Sequence, residues 1–262
     1  MLEAIKLPQA ASYRFPWILT FVFAGLAWIF TYQQLAGMLS HGHQMYGTMG
    51  MPLGPFLFFW TIMMAAMMLP ALAPMVSIQY ERLQQRSLSL LAKNIHLGMF
   101  LLGYLLLWAC FGLPIFFLGL LSTHLVLHAP LLGIGLGIMV FVCAGIYQMT
   151  PLQKRYLTHC NPSSCFHVCG TQDVSARSLF SNLKAGVLHS ISCLGCCGNL
   201  MIVLIAVGLM NLSWMVLITL VIFIEKVWHN GHRLNSLIGM ALIVYGLLSF
   251  IDPSLLSGLY VQ

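Results

Sequence analysis

The chain has 262 residues, of which 60% are hydrophobic and only 6% charged, and its formal net charge at pH 7 is +6. Too few polar side chains are present to cover a water-soluble globule, whereas long apolar runs match the roughly 20-residue helices that span a bilayer. No basic run resembles a nucleic-acid-binding arm, and with five acidic residues in the whole chain, oxygen-ligated magnesium or calcium chemistry is disfavoured.

The expected fold is all-α: a polytopic transmembrane helical bundle forming one integral membrane domain over residues 1–262. In chain order, apolar spans fall near 15–36, 56–77, 95–121, 131–149, 186–209, 212–228 and 235–251. The first exceeds the apolar core of a secretion signal and no small-x-small cleavage site follows it, so it is expected to stay as a helix. The stretch from Gly186 to Val227 is too long for one crossing, at about 1.5 Å per residue against a core of about 30 Å. Gly208 and Asn211 offer a place to turn. Seven helices are expected, or six if residues 186–199 are re-entrant.

Charge sets an expected orientation. All eleven Lys and Arg residues fall in alternate connections, and the loops 37–54 and 122–130 contain none. By the positive-inside rule the N-terminus lies in the cytoplasm and the C-terminus outside, as in a multi-pass protein of the bacterial inner membrane. His41, His43, Met45, Met49 and Met51 then face outward, a composition suited to capturing copper in an oxidising compartment. The segment 150–185 becomes a cytoplasmic loop carrying His159, Cys160, Cys165, His167 and Cys169, a candidate secondary site for zinc or copper. Six of the eight cysteines fall in two local groups, which does not suggest a secreted disulfide framework.

The most specific pattern is His189-Ser-Ile-Ser-Cys193-Leu-Gly-Cys196-Cys197 inside an apolar span. On a helix, His189, Cys193 and Cys197 fall at i, i+4 and i+8 and form one stripe, with Cys196 beside it and Met201 one turn on. Thiolates and thioethers select Cu(I), and thiolates with imidazole also suit Zn(II). The alternative is that the thiols act as small hydrophobes in close helix packing around Gly195 and Gly198. A second patch, Met63-Met64-Ala-Ala-Met67-Met68, precedes Pro70, which frees the carbonyl of Ala66. Met is a common core filler, so packing and ligation stand level here. Helix arithmetic places both patches near the bilayer midplane, where they could share one site. Glu225-Lys226 ends a short apolar span, and the pair is expected to snorkel towards the boundary and compensate each other; a proton-linked or gating carboxylate is the alternative.

These residues also resemble a family. Met63-Met64-Ala-Ala-Met67-Met68-Leu-Pro70, Gly145-Ile-Tyr-Gln-Met-Thr-Pro151-Leu, the His189 to Cys197 stretch with Leu200-Met201, Met210-Asn211-Leu-Ser-Trp214 and Glu225-Lys226 resemble the predicted metal-binding integral membrane proteins, a bacterial domain of unknown function. The resemblance implies a polytopic helical fold and a metal site. This chain has Gly198 where that family often carries an aromatic residue, and Tyr156 where it usually carries a further Cys.

The expected function is soft-metal binding, with copper(I) as the first choice and zinc as the alternative. The role would be copper transfer, or delivery to a membrane cuproenzyme or copper chaperone as partner. Expected ligands are Cys193, Cys196 and Cys197, with His189 and Met64 or Met68, and Met63 and Met67 nearby. No glycine-rich phosphate loop, nucleophile elbow or paired catalytic carboxylates mark the chain as an enzyme. Two rival functions remain: a membrane thiol–disulfide oxidoreductase built on the three thiols, and a structural subunit of a membrane complex.

Overall fold

The computed structural model describes residues 10–40, 47, 48, 50–86, 89–160, 178–209, 211–227, 231–252, 256 and 259. His41, His43, Met45, Met49, Cys165, His167, Cys169 and Met210 lie outside the described residues, and so does most of the expected inner loop. Among the described residues the protein is all-helical, with eight helices and no strand: α1 Ala10–Ser40, α2 Leu53–Gln84, α3 Leu90–His128, α4 Pro130–Met149, α5 Pro151–Cys160, α6 Leu179–Val207, α7 Leu212–Val227 and α8 Gly231–Ile251.

Local chemistry sets several of the helix boundaries. Ser89 caps α3, its hydroxyl accepting from the Ala92 amide at 3.3 Å. Pro130 opens α4 at a position where its missing N–H costs nothing. At the far end Pro151 keeps Thr150 out of the helical region (ψ 152°), so the chain breaks there and restarts as α5. The Thr150 hydroxyl then accepts from the Gln153 amide at 3.3 Å and caps the new helix. Helix α6 stops at Gly208, whose φ of 96° suits a residue without a Cβ. Asn211 donates its amide to the Gly208 carbonyl at 3.1 Å, and its side chain accepts from the Trp214 amide at 3.4 Å. The expected turn at Gly208 and Asn211 is therefore the one formed.

Among the described residues, six helical stretches are long and apolar enough to cross a membrane: Pro16–Met38, Leu53–Gln84, Leu90–His128, Pro130–Met149, Leu179–Val207 and Leu234–Ile251. Residues 186–199 are not re-entrant but lie inside the continuous α6. The count falls to six for another reason. Helix α7 has 16 residues, about 24 Å, which is short of a full hydrocarbon core. Helices α2 and α6 are the most buried spans, and the others present much of their length outward. Their outer faces carry exposed Leu131, Phe250 and Ile251, so the exterior is apolar while polar groups turn inward.

Close packing depends on glycines where helices cross. A Cβ on Gly103 of α3 would lie 2.2 Å from the Leu183 carbonyl oxygen, and one on Gly186 of α6 would lie 2.1 Å from that of Phe100. This reciprocal contact brings α3 and α6 together backbone to backbone. Gly145 of α4 and Gly239 of α8 make the same kind of contact. The two inner helices are the ones that carry the Met patch and the thiol stripe.

Candidate metal centre

The thiol stripe forms because α6 is regular through residues 189–201. The Sγ atoms of Cys196 and Cys197 fold back over the Cys193 carbonyl at 3.2 and 2.8 Å, the direction helical side chains favour. All three sulfurs lie within 4.8 Å of one another and all three residues are buried, a group that could hold a metal ion. The Cys193 and Cys197 sulfurs stand 3.6 Å apart. Across the interface, the Met68 sulfur of α2 lies 4.0 Å from the Cys197 Sγ. Met63, Met64 and Met67 are fully buried in the same core.

His189 belongs to the stripe but not to the three-thiol group. Its buried ring packs against Phe100 and Tyr104, with centroids 6.2 and 6.1 Å away. Cys160, expected in a separate inner-loop site, is instead brought to the centre. It ends α5, is buried, and its Sγ is 3.5 Å from that of Cys196. Its neighbour His159 is partly exposed and has Nδ1 2.7 Å from the Arg155 carbonyl oxygen. Tyr156, at the position where the resembling family usually carries a further Cys, lays its ring over Gly195, leaving no room there for a Cβ.

The pair Glu225-Lys226 does not snorkel. Both side chains are buried, at 2% and 3% exposure, because each finds a polar partner inside. The Lys226 ammonium donates to the Cys193 sulfur at 2.9 Å, and the Tyr104 hydroxyl lies 3.1 Å from the same atom. The Glu225 carboxylate accepts from the Gln148 side-chain amide. Depth explains the Lys226 contact. Fourteen residues separate Cys193 from the end of α6 at Val207, and fourteen separate Leu212, at the start of α7, from Lys226. Both side chains therefore lie about 21 Å from the Gly208–Asn211 turn.

A belt of amides supports the centre. Asn199 donates to Gln148 at 2.9 Å, Gln153 donates to the Cys196 carbonyl at 3.4 Å, and Asn235 donates to Gln153. These bonds join α4, α5, α6 and α8, and in a membrane interior each would cost several kcal/mol if left unmade, on the order of 2–7.

Among the described residues, soft ligands, a buried lysine ammonium and no carboxylate bonded to the sulfurs suit a soft, low-charge ion. Over residues 57–249 the chain matches the family PpoB2, described as a copper chaperone. The chain belongs to the PpoB2 copper chaperone family. No curated protein and no solved structure matches it. The PpoB2 match takes in the Met patch, Tyr104, Cys160, the three thiols and Glu225-Lys226, so every residue of the centre lies within the family's span. It agrees with the sequence resemblance in pointing to a metal-binding family.

Proposed function

We propose that this protein is a multi-pass inner-membrane copper chaperone that carries Cu(I) on Cys193, Cys196 and Cys197. Met68 is the neutral ligand contributed from α2. The observation that carries this reading is the buried three-thiol group with a lysine ammonium 2.9 Å from one sulfur. Copper is the cargo here, and the chain's own groups account for how it is held. Two thiolates, one Cu(I) and the Lys226 ammonium sum to zero charge, whereas the same complex without the lysine carries a net negative charge that low-dielectric surroundings penalise. With Cys193 as a thiolate, the Tyr104 hydroxyl donates to it from the α3 side. In the ion-free centre the Cys196 and Cys197 thiols donate to the Cys193 carbonyl, and whichever becomes the second thiolate gives up that bond when the ion is held.

Thioethers bind weakly and carry no charge, which suits an ion in transit, so Met63, Met64 and Met67 are proposed as holding positions along α2. Cys160 offers a fourth sulfur from α5, on the side of the basic loops, and is proposed as the exchange partner through which copper leaves or arrives. His189, Glu225 and the residues of both loops are proposed as peripheral contributors. The recipient in this account is a copper-requiring membrane enzyme or a second chaperone.

The test is metal content by mass spectrometry on detergent-purified protein under competition from a Cu(I) chelator, beside the triple Cys193→Ser, Cys196→Ser, Cys197→Ser variant. Copper near one ion per chain, lost in the variant, is expected. Equal copper in both would overturn the assignment. Thiol alkylation on the same samples reads the oxidoreductase alternative, which requires a reversible disulfide and no metal.

A further inference from the structure

Away from the thiol centre, two imidazoles share the far end of α3. His124 and His128 stand one turn apart, both exposed, with their rings stacked at 4.4 Å between centroids and 15° between planes. The Nδ1 of His128 lies 3.1 Å from the backbone carbonyl oxygen of His124. A carbonyl can only accept, so Nδ1 carries the proton and the Nε2 lone pair is left free. Hydrogen bonding of one ring nitrogen to a backbone carbonyl is the usual support for an imidazole that binds metal through the other.

The surroundings favour a cation. His128 lies in the last turn of α3, where unpaired carbonyls concentrate partial negative charge, and His124 stands one turn before it. In the sequence, residues 37–54 and 122–130 contain no Lys or Arg. The end is also held in place: Gly47 packs so tightly on Thr123 that a Cβ there would lie 1.8 Å from the Thr123 hydroxyl oxygen. Thr48 sits against Gly119 in the same way.

We propose that His124 and His128 form a bidentate site for a divalent first-row cation, Cu(II) above all, on the face without basic residues. Two nitrogens bound to one ion at about 2.0 Å each lie within about 4 Å of one another, a span that small rotations of these exposed rings reach. Imidazole nitrogens favour Cu(II) over the other divalent ions by the Irving–Williams order, and waters complete its tetragonal shell. The site does not depend on the thiol reading, because it shares no residue with that centre.

The experiment is electron paramagnetic resonance on tag-free, full-length protein in detergent given one equivalent of Cu(II). It is run in the wild type and in the triple Cys→Ser background, where no thiol of the centre can reduce the ion. One bound Cu(II) per chain with nitrogen couplings is expected, lost in His124→Ala/His128→Ala. The His128→Asn variant keeps an amide donor for the His124 carbonyl but lacks Nε2, and its affinity is expected to fall about tenfold or more. An unchanged spectrum in both variants overturns the site, and so does an absence of bound Cu(II) in the triple Cys→Ser background. Cu(I) retention, measured separately by chelator competition, is expected to be unchanged by the histidine substitutions, so failure of one site is distinguishable from failure of the other.

Discussion

Cys193 is where the charged and phenolic groups converge, with Lys226, Tyr104 and Cys197 all within 3.6 Å of its sulfur. Lys226→Met keeps the stem and removes the charge. Its Cu(I) affinity in chelator competition is expected to fall at least about tenfold, because a buried charge without its partner is strongly penalised. Met68→Leu is a volume-conserving swap, so its stability is expected to change by less than about 1.5 kcal/mol, while copper passes to an acceptor chaperone at an altered rate with stoichiometry intact. The thiol stripe was legible in the sequence because its members repeat at helical spacing within nine residues. Tyr104, Lys226 and Cys160 were not legible as partners. They meet the thiols across 89, 33 and 36 residues of chain, and only the packing of separate helices brings them there. Matching depths from the Gly208–Asn211 turn were the one sequence signal that could have paired Lys226 with Cys193.

Among the helices, α3 and α6 are fixed to one another by Gly103 and Gly186, and that crossing sets the distance from Tyr104 to Cys193. Gly103→Ala is expected to destabilise the protein by roughly 1–3 kcal/mol, read as a lower thermal midpoint in detergent, and to weaken copper binding through the displaced tyrosine. Gly98→Ala is the control, since a Cβ there meets nothing within 4 Å and a helix gains propensity from alanine. Apolar runs located every long helix, because the lipid-facing surface is read directly from side-chain hydropathy. They underestimated helix length: α3 runs from Leu90 to His128 where the apolar span suggested 95–121. Hydrogen bonding carries a helix past the hydrocarbon, where composition no longer reports it. Helix α5 was missed for a related reason, being short and polar and defined by Pro151 and the Thr150 cap.

For the molecule as a whole, the described outer faces are apolar and the core is apolar too, with a small polar and sulfur-bearing centre set inside it. Large apolar side chains cover the outside, while sulfur, amide and charged groups meet within. In the proposed reading, this arrangement would keep a soft ion away from water and from competing oxygen ligands until it is handed on. Topology reporters fused to either end test the orientation: the charge pattern predicts a cytoplasmic N-terminus and an outside C-terminus, which requires α7 to complete a crossing despite its 16 residues. Reporters on the same side would mean that α7 turns back within the membrane. The most direct test of the central claim is X-ray absorption at the copper edge on protein loaded with one equivalent of Cu(I). A Cu(I) edge with only sulfur in the first shell, abolished in the triple Cys→Ser variant, is the expected result. A first shell of nitrogen or oxygen, or the same spectrum in the variant, would contradict a thiol-held cargo.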